Sequence, residues 1–248
     1  MPAPTTMFAA AQSVSVAGDV RGNASRHARL AAQAADRGAR FILFPELSLV
    51  GYEPCVAASH PLEPGDERLQ SLRKVARAKG ITIVAGAPVT FGRGCHIGAF
   101  VFSPEGDADV YTKQFLHQGE EALFTPGTGG ALVHVAHARI GLAVCADATH
   151  PEHAVAAVRR GATVYAASCL ITEAGYAKDT AFLQHYARQY GIAVLMANHG
   201  AATGDWAPAG RSAAWSDQGD LLASTPGTGE ALVLIEHSRT GWMGEVVQ

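Results

Sequence analysis

Apolar residues along this chain occur either in short unbroken runs or at helical spacing, and each change of rhythm is marked by a turn residue. Residues 7–13 form the first run and predict a buried strand. Ala and Leu then recur at three- and four-residue steps over 23–37, which predicts a helix, and Gly38 stands where it should stop. Phe41-Ile42-Leu43-Phe44 reads as a second buried strand, closed by Pro45. Residues 46–65 carry Gly51, Pro54, Pro61, Pro64 and Gly65 and predict a loop. Asp66 is suited to cap a helix over 67–79, Gly80 to end it, and residues 81–85 to follow as a strand.

From 81 to 113 the pattern is strand and turn, with turn signals at Gly92-Arg93-Gly94 and Ser103-Pro104-Glu105-Gly106. A loop over 114–130 leads to strands near 131–136 and 138–145. Pro151 opens a helix to about Arg160, followed by a strand at 162–167, a helix at 176–190 and a strand at 192–197. The remainder shows turn signals at 199–210 and 217–220, then a strand at 231–236. This alternation predicts a layered α/β fold, and the hairpins predict mixed sheets. No low-complexity linker interrupts it, so a single domain over 1–248 is expected. The segment 125–141 recurs as 225–241 with eleven of seventeen positions identical. Either similar turns lead into similar strands, or the fold contains two related halves.

Composition narrows the function classes. Of 248 residues, 48% are hydrophobic and 17% charged, the balance of a chain with a substantial core rather than a disordered one. A net charge of −3 gives no electrostatic reason to bind nucleic acid or an acidic membrane surface. No apolar stretch is long enough to span a bilayer. The N-terminal stretch lacks the basic start and apolar run of a signal peptide, so a cytoplasmic protein is expected. The cysteines at 55, 95, 145 and 169 have no CxxC spacing and are expected as free thiols. Packing accounts for most such thiols.

Three segments place a reactive group just after a predicted strand: Phe44-Pro45-Glu46, Tyr111-Thr112-Lys113 and Val144-Cys145-Ala146-Asp147. In open α/β sheets the carboxyl ends of strands converge on the ligand crevice. Taken singly, Glu46 reads as a solvated loop carboxylate and Lys113 as a surface lysine. Together they supply what a thiol needs. A carboxylate drawn behind the 41–44 run has a raised pKa and suits a general base. An ammonium would lower a thiol's pKa and stabilise an oxyanion. Cys145 also precedes Thr149-His150-Pro151-Glu152, a helix start whose dipole favours thiolate.

These segments resemble the nitrilase superfamily, the carbon–nitrogen hydrolases with a Glu-Lys-Cys triad. Ala11-Gln12, Gly18-Asp19-Val20, Asn23 and Phe44-Pro45-Glu46-Leu47-Ser48-Leu49-Val50-Gly51-Tyr52 are similar to the family's N-terminal signature, which places its glutamate at Glu46. Tyr111-Thr112-Lys113 with Phe124-Thr125-Pro126-Gly127 resembles the lysine motif. Gly141-Leu142-Ala143-Val144-Cys145-Ala146-Asp147, followed by Pro151-Glu152, resembles the nucleophile block. Ala197-Asn198 and Gly210-Arg211-Ser212 extend the likeness to about residues 7–236. The family's second glutamate falls by spacing on Glu120, with Glu121 as the alternative.

The resemblance implies a four-layer α-β-β-α sandwich with mixed sheets, dimerising into eight layers. It implies hydrolysis of a small amide through a thioester on Cys145, with Glu46 as base, and Lys113 and the Ala146 N–H holding the oxyanion. No cofactor or metal is implied. Tyr52, His117, Ala146, His150, Leu170 and Trp206 are the expected substrate contacts. The chain departs from the family pattern in Phe115, where histidine is frequent, and in Ala146, where an aromatic residue is common. Cys-Ala-Asp leans towards amide cleavage, with nitrile hydrolysis or a silent binding protein as alternatives. Eleven histidines raise a metal or Cys-His alternative, but the pairs His134/His137 and His150/His153 lack a third ligand at convincing spacing.

Overall fold

The computed structural model describes residues 6–248 except 93, 107 and 240. Residues 1–5 and Arg93 of the expected turn therefore lie outside the described residues. Two mixed sheets form the centre. The first combines β1 (Thr6–Gln12), β2 (Ala39–Leu43), β3 (Thr82–Phe91), β4 (Gly94–Phe102) and β5 (Ala108–Thr112) with two strands from the far end of the sequence. The second combines β6 (Val133–Val135), β7 (Ala138–Val144), β8 (Val164–Ser168), β9 (Ala193–Ala197), β10 (Ala213–Trp215) and β11 (Leu221–Ser224). The far strands are β12 (Ala231–Ser238) and β13 (Gly241–Val247), giving the order β13-β12-β1-β2-β3-β4-β5 against β11-β10-β9-β8-β7-β6.

Helices cover the outer faces: α1 (Val20–Asp36) and α3 (Gln70–Lys79) on the first sheet, α4 (Pro151–Arg159) and α5 (Glu173–Tyr190) on the second. The period of two along the central strands explains why they read as unbroken apolar runs. Leu142, Val144, Val164, Ala166 and Leu195 pack toward the first sheet. Their neighbours Ala143, Tyr165, Ala167, Val194 and Met196 pack under α4 and α5. Ser168 Oγ donates to Phe44 O at 2.7 Å and pins the sheets together between two strand ends. The four-layer α-β-β-α arrangement expected from the sequence is present.

Several boundaries move, each for a local reason. Helix α1 begins at Val20, because Asp19 caps it through the Gly22 N–H; Asn23 lies inside and its buried amide donates to Val16 O and Leu49 O. The predicted 46–65 loop contains the short α2 (Pro54–Ala58), started by Pro54. Strand β7 ends at Val144, and Cys145 opens a 3-10 turn, Cys145–Thr149. Helix α5 begins three residues before the predicted 176, with Gly175 inside its first turn. The short β10 and β11 and the partly exposed β13 were not legible as alternating patterns.

The sequence echo has a structural counterpart. In the first sheet β1, β2 and β3 are parallel and β4 and β5 antiparallel; in the second, β7, β8 and β9 are parallel and β10 and β11 antiparallel. Segment 125–129 carries the chain from β5 to β6, which pairs antiparallel with β7. Segment 225–229 carries it from β11 to β12, which pairs antiparallel with β1. The topology thus supports two related halves, each crossing to the other sheet through the same turn sequence. Among the described residues no helix is long and apolar enough to cross a membrane.

Candidate active site

Three strand ends deliver the reactive groups. Glu46 follows β2, fully buried, and its backbone carbonyl accepts from His199 Nε2 at 2.7 Å. His27 stacks on Phe44 just ahead of it, with ring centres 3.9 Å apart, and burial lowers the His27 pKa to about 3. Lys113 follows β5; its N–H donates to Ile97 O at 2.8 Å and its carbonyl accepts from Gly127 N at 2.6 Å. Cys145 follows β7 with φ of 46°, a left-handed conformation that an L side chain rarely adopts. Its Sγ lies 3.7 Å from Leu170 O.

The buried Lys113 ammonium binds both carboxylates. Nζ donates to Glu46 Oε1 at 2.6 Å and to Glu120 Oε1 and Oε2 at 2.9 and 2.8 Å. Glu120 is further held by the Tyr52 hydroxyl at 2.7 Å and the His117 N–H at 2.7 Å. Glu121 is exposed and its carboxylate accepts from Gly119 N, so Glu120 and not its neighbour meets the ammonium. Glu46 Oε2 has no hydrogen-bond partner among the described residues. That leaves one carboxylate oxygen available to a thiol or a water.

Burial raises the Glu46 pKa to about 7, against the opposing pull of Lys113. Burial works against the Lys113 charge, but Glu46, Cys145 and Glu120 outweigh it and raise its pKa. The thiol departs from the sequence expectation. Burial first, and Glu46 second, push the Cys145 pKa well up, with Lys113 only partly opposing them. The ammonium already faces two carboxylates, so a thiolate would give this pocket a second net negative charge. The helix dipole does not reverse this, because the 145–149 turn separates Cys145 from α4.

Asp147, two residues beyond Cys145, ties the nucleophile turn to the lysine loop. Its Oδ1 accepts from the Gln114 and Phe115 N–H groups at 3.0 and 2.9 Å; its Oδ2 accepts from Val144 N at 3.0 Å and Tyr111 OH at 2.7 Å. Asn198 performs a similar task for the cavity wall, exchanging hydrogen bonds with Ile171 N and O and donating to Gly210 O. The sequence marks both positions but not these long-range partners. Nothing in the local pattern marks His199.

A cavity of about 370 Å³ opens over Cys145. Tyr52, His117, Ala146, Leu170 and Trp206 line it, as expected from their positions. His150 does not: its ring stacks on Phe115 at 4.0 Å and its Nδ1 lies 2.7 Å from Ala146 O, so it braces the turn from behind. Thr149, Ile171, Phe182 and Leu183 complete a largely apolar wall. The Ala146 N–H belongs to the first turn of a 3-10 helix, where amides lack intrahelical partners.

Comparison with known proteins gives the same picture. The family model for carbon–nitrogen hydrolases matches residues 8–241. A nitrilase from Pyrococcus abyssi is 31% identical over 150 residues, 58% of this chain and 57% of that protein. An (R)-stereoselective amidase from Pseudomonas sp. is 33% identical over 125 residues, 50% of this chain and 45% of that protein. The chain thus spans about half the length of the curated relatives it matches. A variant of the amidase from Nesterenkonia sp. AN1, in complex with acrylamide, superposes with a TM-score of 0.86 at 25% identity. That match covers 97% of this chain and 94% of the other.

Proposed function

The chain belongs to the carbon–nitrogen hydrolase family, and from that premise we propose that it hydrolyses a small amide through a thioester on Cys145. One observation carries the reading: a buried ammonium shared by Glu46 and Glu120, at the strand ends that also present Cys145 to the cavity. The amidases among its relatives and structural neighbours favour an amide over a nitrile.

The resting thiol is neutral, so attack and proton loss occur together. Glu46 takes the Sγ proton as sulfur bonds to the amide carbon. The negative charge passes to the former carbonyl oxygen, where Lys113 and the Ala146 N–H receive it. Glu46 then returns the proton to the departing nitrogen, the C–N bond breaks, and an amine or ammonia leaves. Water enters, gives a proton to Glu46 and attacks the thioester. As the thiolate recovers a proton from Glu46, the acid product departs and passes its own remaining proton to the released amine or to solvent, while Glu120 holds Lys113 in place. Free thiols suit a reducing compartment such as the cytoplasm. The proposal includes a homodimer, which sedimentation of the purified protein tests.

The decisive experiment measures ammonia release from a panel of aliphatic amides and nitriles, with Cys145→Ala as control. Amides are expected to turn over, with an acyl group trapped on Cys145 and visible by mass spectrometry. Turnover that survives Cys145→Ala, or a panel without turnover or acylation, overturns the reading.

A further inference from the structure

The cavity carries two charges, Lys178 and Asp179, for which the mechanism above has no use. On α5, Gly175, Lys178, Asp179, Phe182 and Leu183 line the cavity as one helical stripe. Lys178 is exposed and Asp179 half-buried. As consecutive residues they splay by roughly 100° around the helix, and among the described residues neither enters an ion pair. Nor does the Asp179 carboxylate accept a hydrogen bond from a described residue. A side-chain carbon added at Gly175 would lie 3.2 Å from Asp179 Oδ2, so the bare glycine keeps the approach to that oxygen open.

Asp179 is also close to the chemistry. Its charge helps raise the pKa of the Cys169 thiol, after burial and Glu46. Ser168 pairs in register with Val144, so Cys169 stands beside Cys145 at adjoining strand ends. Burial raises the Asp179 pKa itself, with Lys178 and His117 opposing. The carboxylate stands half-buried beside Phe182 and Leu183, where a cation brought into the cavity would pair with it in partly water-excluded surroundings.

We infer that the substrate is an amide carrying a primary ammonium group at the end opposite the scissile bond, and that Asp179 binds that group. This rests on the amidase reading above. The apolar wall takes the methylene chain, the triad takes the amide, and the cation meets Asp179.

Three amides of matched length test it: 4-aminobutyramide, pentanamide and succinamate, which are cationic, neutral and anionic. In the native protein kcat/KM is expected to fall in that order, with about tenfold between the first two, as for a charge-assisted hydrogen bond. Asp179→Asn should bring the ratio of the first two toward one, and Asp179→Lys should turn the preference toward succinamate. Equal kcat/KM for the cationic and neutral amides, or a preference that survives Asp179→Asn, overturns the inference. Calorimetric binding to the Cys145→Ala protein should show the same order without turnover. Preferential binding without hydrolysis by the native protein would sink the amidase reading and keep the Asp179 assignment. Hydrolysis without preference would do the reverse, and neither binding nor hydrolysis would sink both.

Discussion

The crossovers 125–129 and 225–229 have the same five residues, Thr-Pro-Gly-Thr-Gly, in topologically equivalent places, yet only one lies beside a reactive group. The first is laced to the end of β5: Gly127 N donates to Lys113 O, and Gly129 and Thr112 exchange backbone hydrogen bonds. The second is laced to the end of β1. There Gln12 Nε2 donates to Gly227 O and Gly229 O at 2.6 and 2.8 Å, and Gln12 Oε1 accepts from Thr225 and Ser212. One turn sequence serves as scaffold in both halves. Reactivity depends on the side chain at the adjoining strand end, an ammonium in one case and a neutral amide in the other.

The largest effect is expected at Lys113. Lys113→Ala removes the ammonium between two carboxylates and should lower kcat/KM by at least about 10³-fold, measured by ammonia release. Gly127→Ala acts one step away. Its Cβ would lie 2.3 Å from Thr112 side-chain atoms and 2.8 Å from a Thr112 backbone carbon, which forces the end of β5 to move. A displacement of about 1 Å at Lys113 should lower the rate about 10²-fold. The overpacking should destabilise the fold by about 1–3 kcal/mol, read by denaturant unfolding.

In the other crossover the effect should fall on stability instead. Gln12→Ala leaves the Thr225 and Ser212 donors and the Gly229 carbonyl without their partner, removes one of two donors to Gly227 O, and should cost about 3 kcal/mol in the same unfolding assay. A large fall in kcat of the folded fraction would contradict the division between the halves. Titration of Glu46 sharpens the contrast. Its pKa is raised from about 4.5 to about 7, so its contribution to stability is fully present below 4.5 and lost as pH rises through 7. Activity runs the other way, because the base must be ionised: kcat/KM should fall about tenfold per unit below pH 7. The smallest effect is expected at Gly227→Ala, whose Cβ meets nothing within 4 Å, with a stability change inside about 0.5 kcal/mol. Equal damage from Gly127→Ala and Gly227→Ala would erase the distinction.

The meeting of Glu46, Lys113 and Cys145 was legible because each follows a strand, and the convergence of strand ends is a property of the fold class. Choosing Glu120 over Glu121 needed three donors, Tyr52 OH, His117 N and Lys113 Nζ, brought together from separate segments. The thiol's state was misread because spacing shows that an ammonium is near but not that two carboxylates already share it. The α5 cavity face was hidden for another reason. Gly175 reads locally as a breaker, and only the folded helix shows that Asp179 Oδ2 lies close over the bare glycine. His150 illustrates the converse, since proximity in sequence to Cys145 placed it behind the turn rather than in the cavity.

The left-handed backbone at Cys145 sets chemistry against local preference. A non-glycine residue there carries about 1 kcal/mol or more of conformational strain, and glycine would carry almost none. A lineage released from the need for turnover would therefore give up the thiol with little backbone penalty and relax toward glycine. On the proposed mechanism, a cysteine retained at that position is, in evolutionary terms, a running record of selection for turnover.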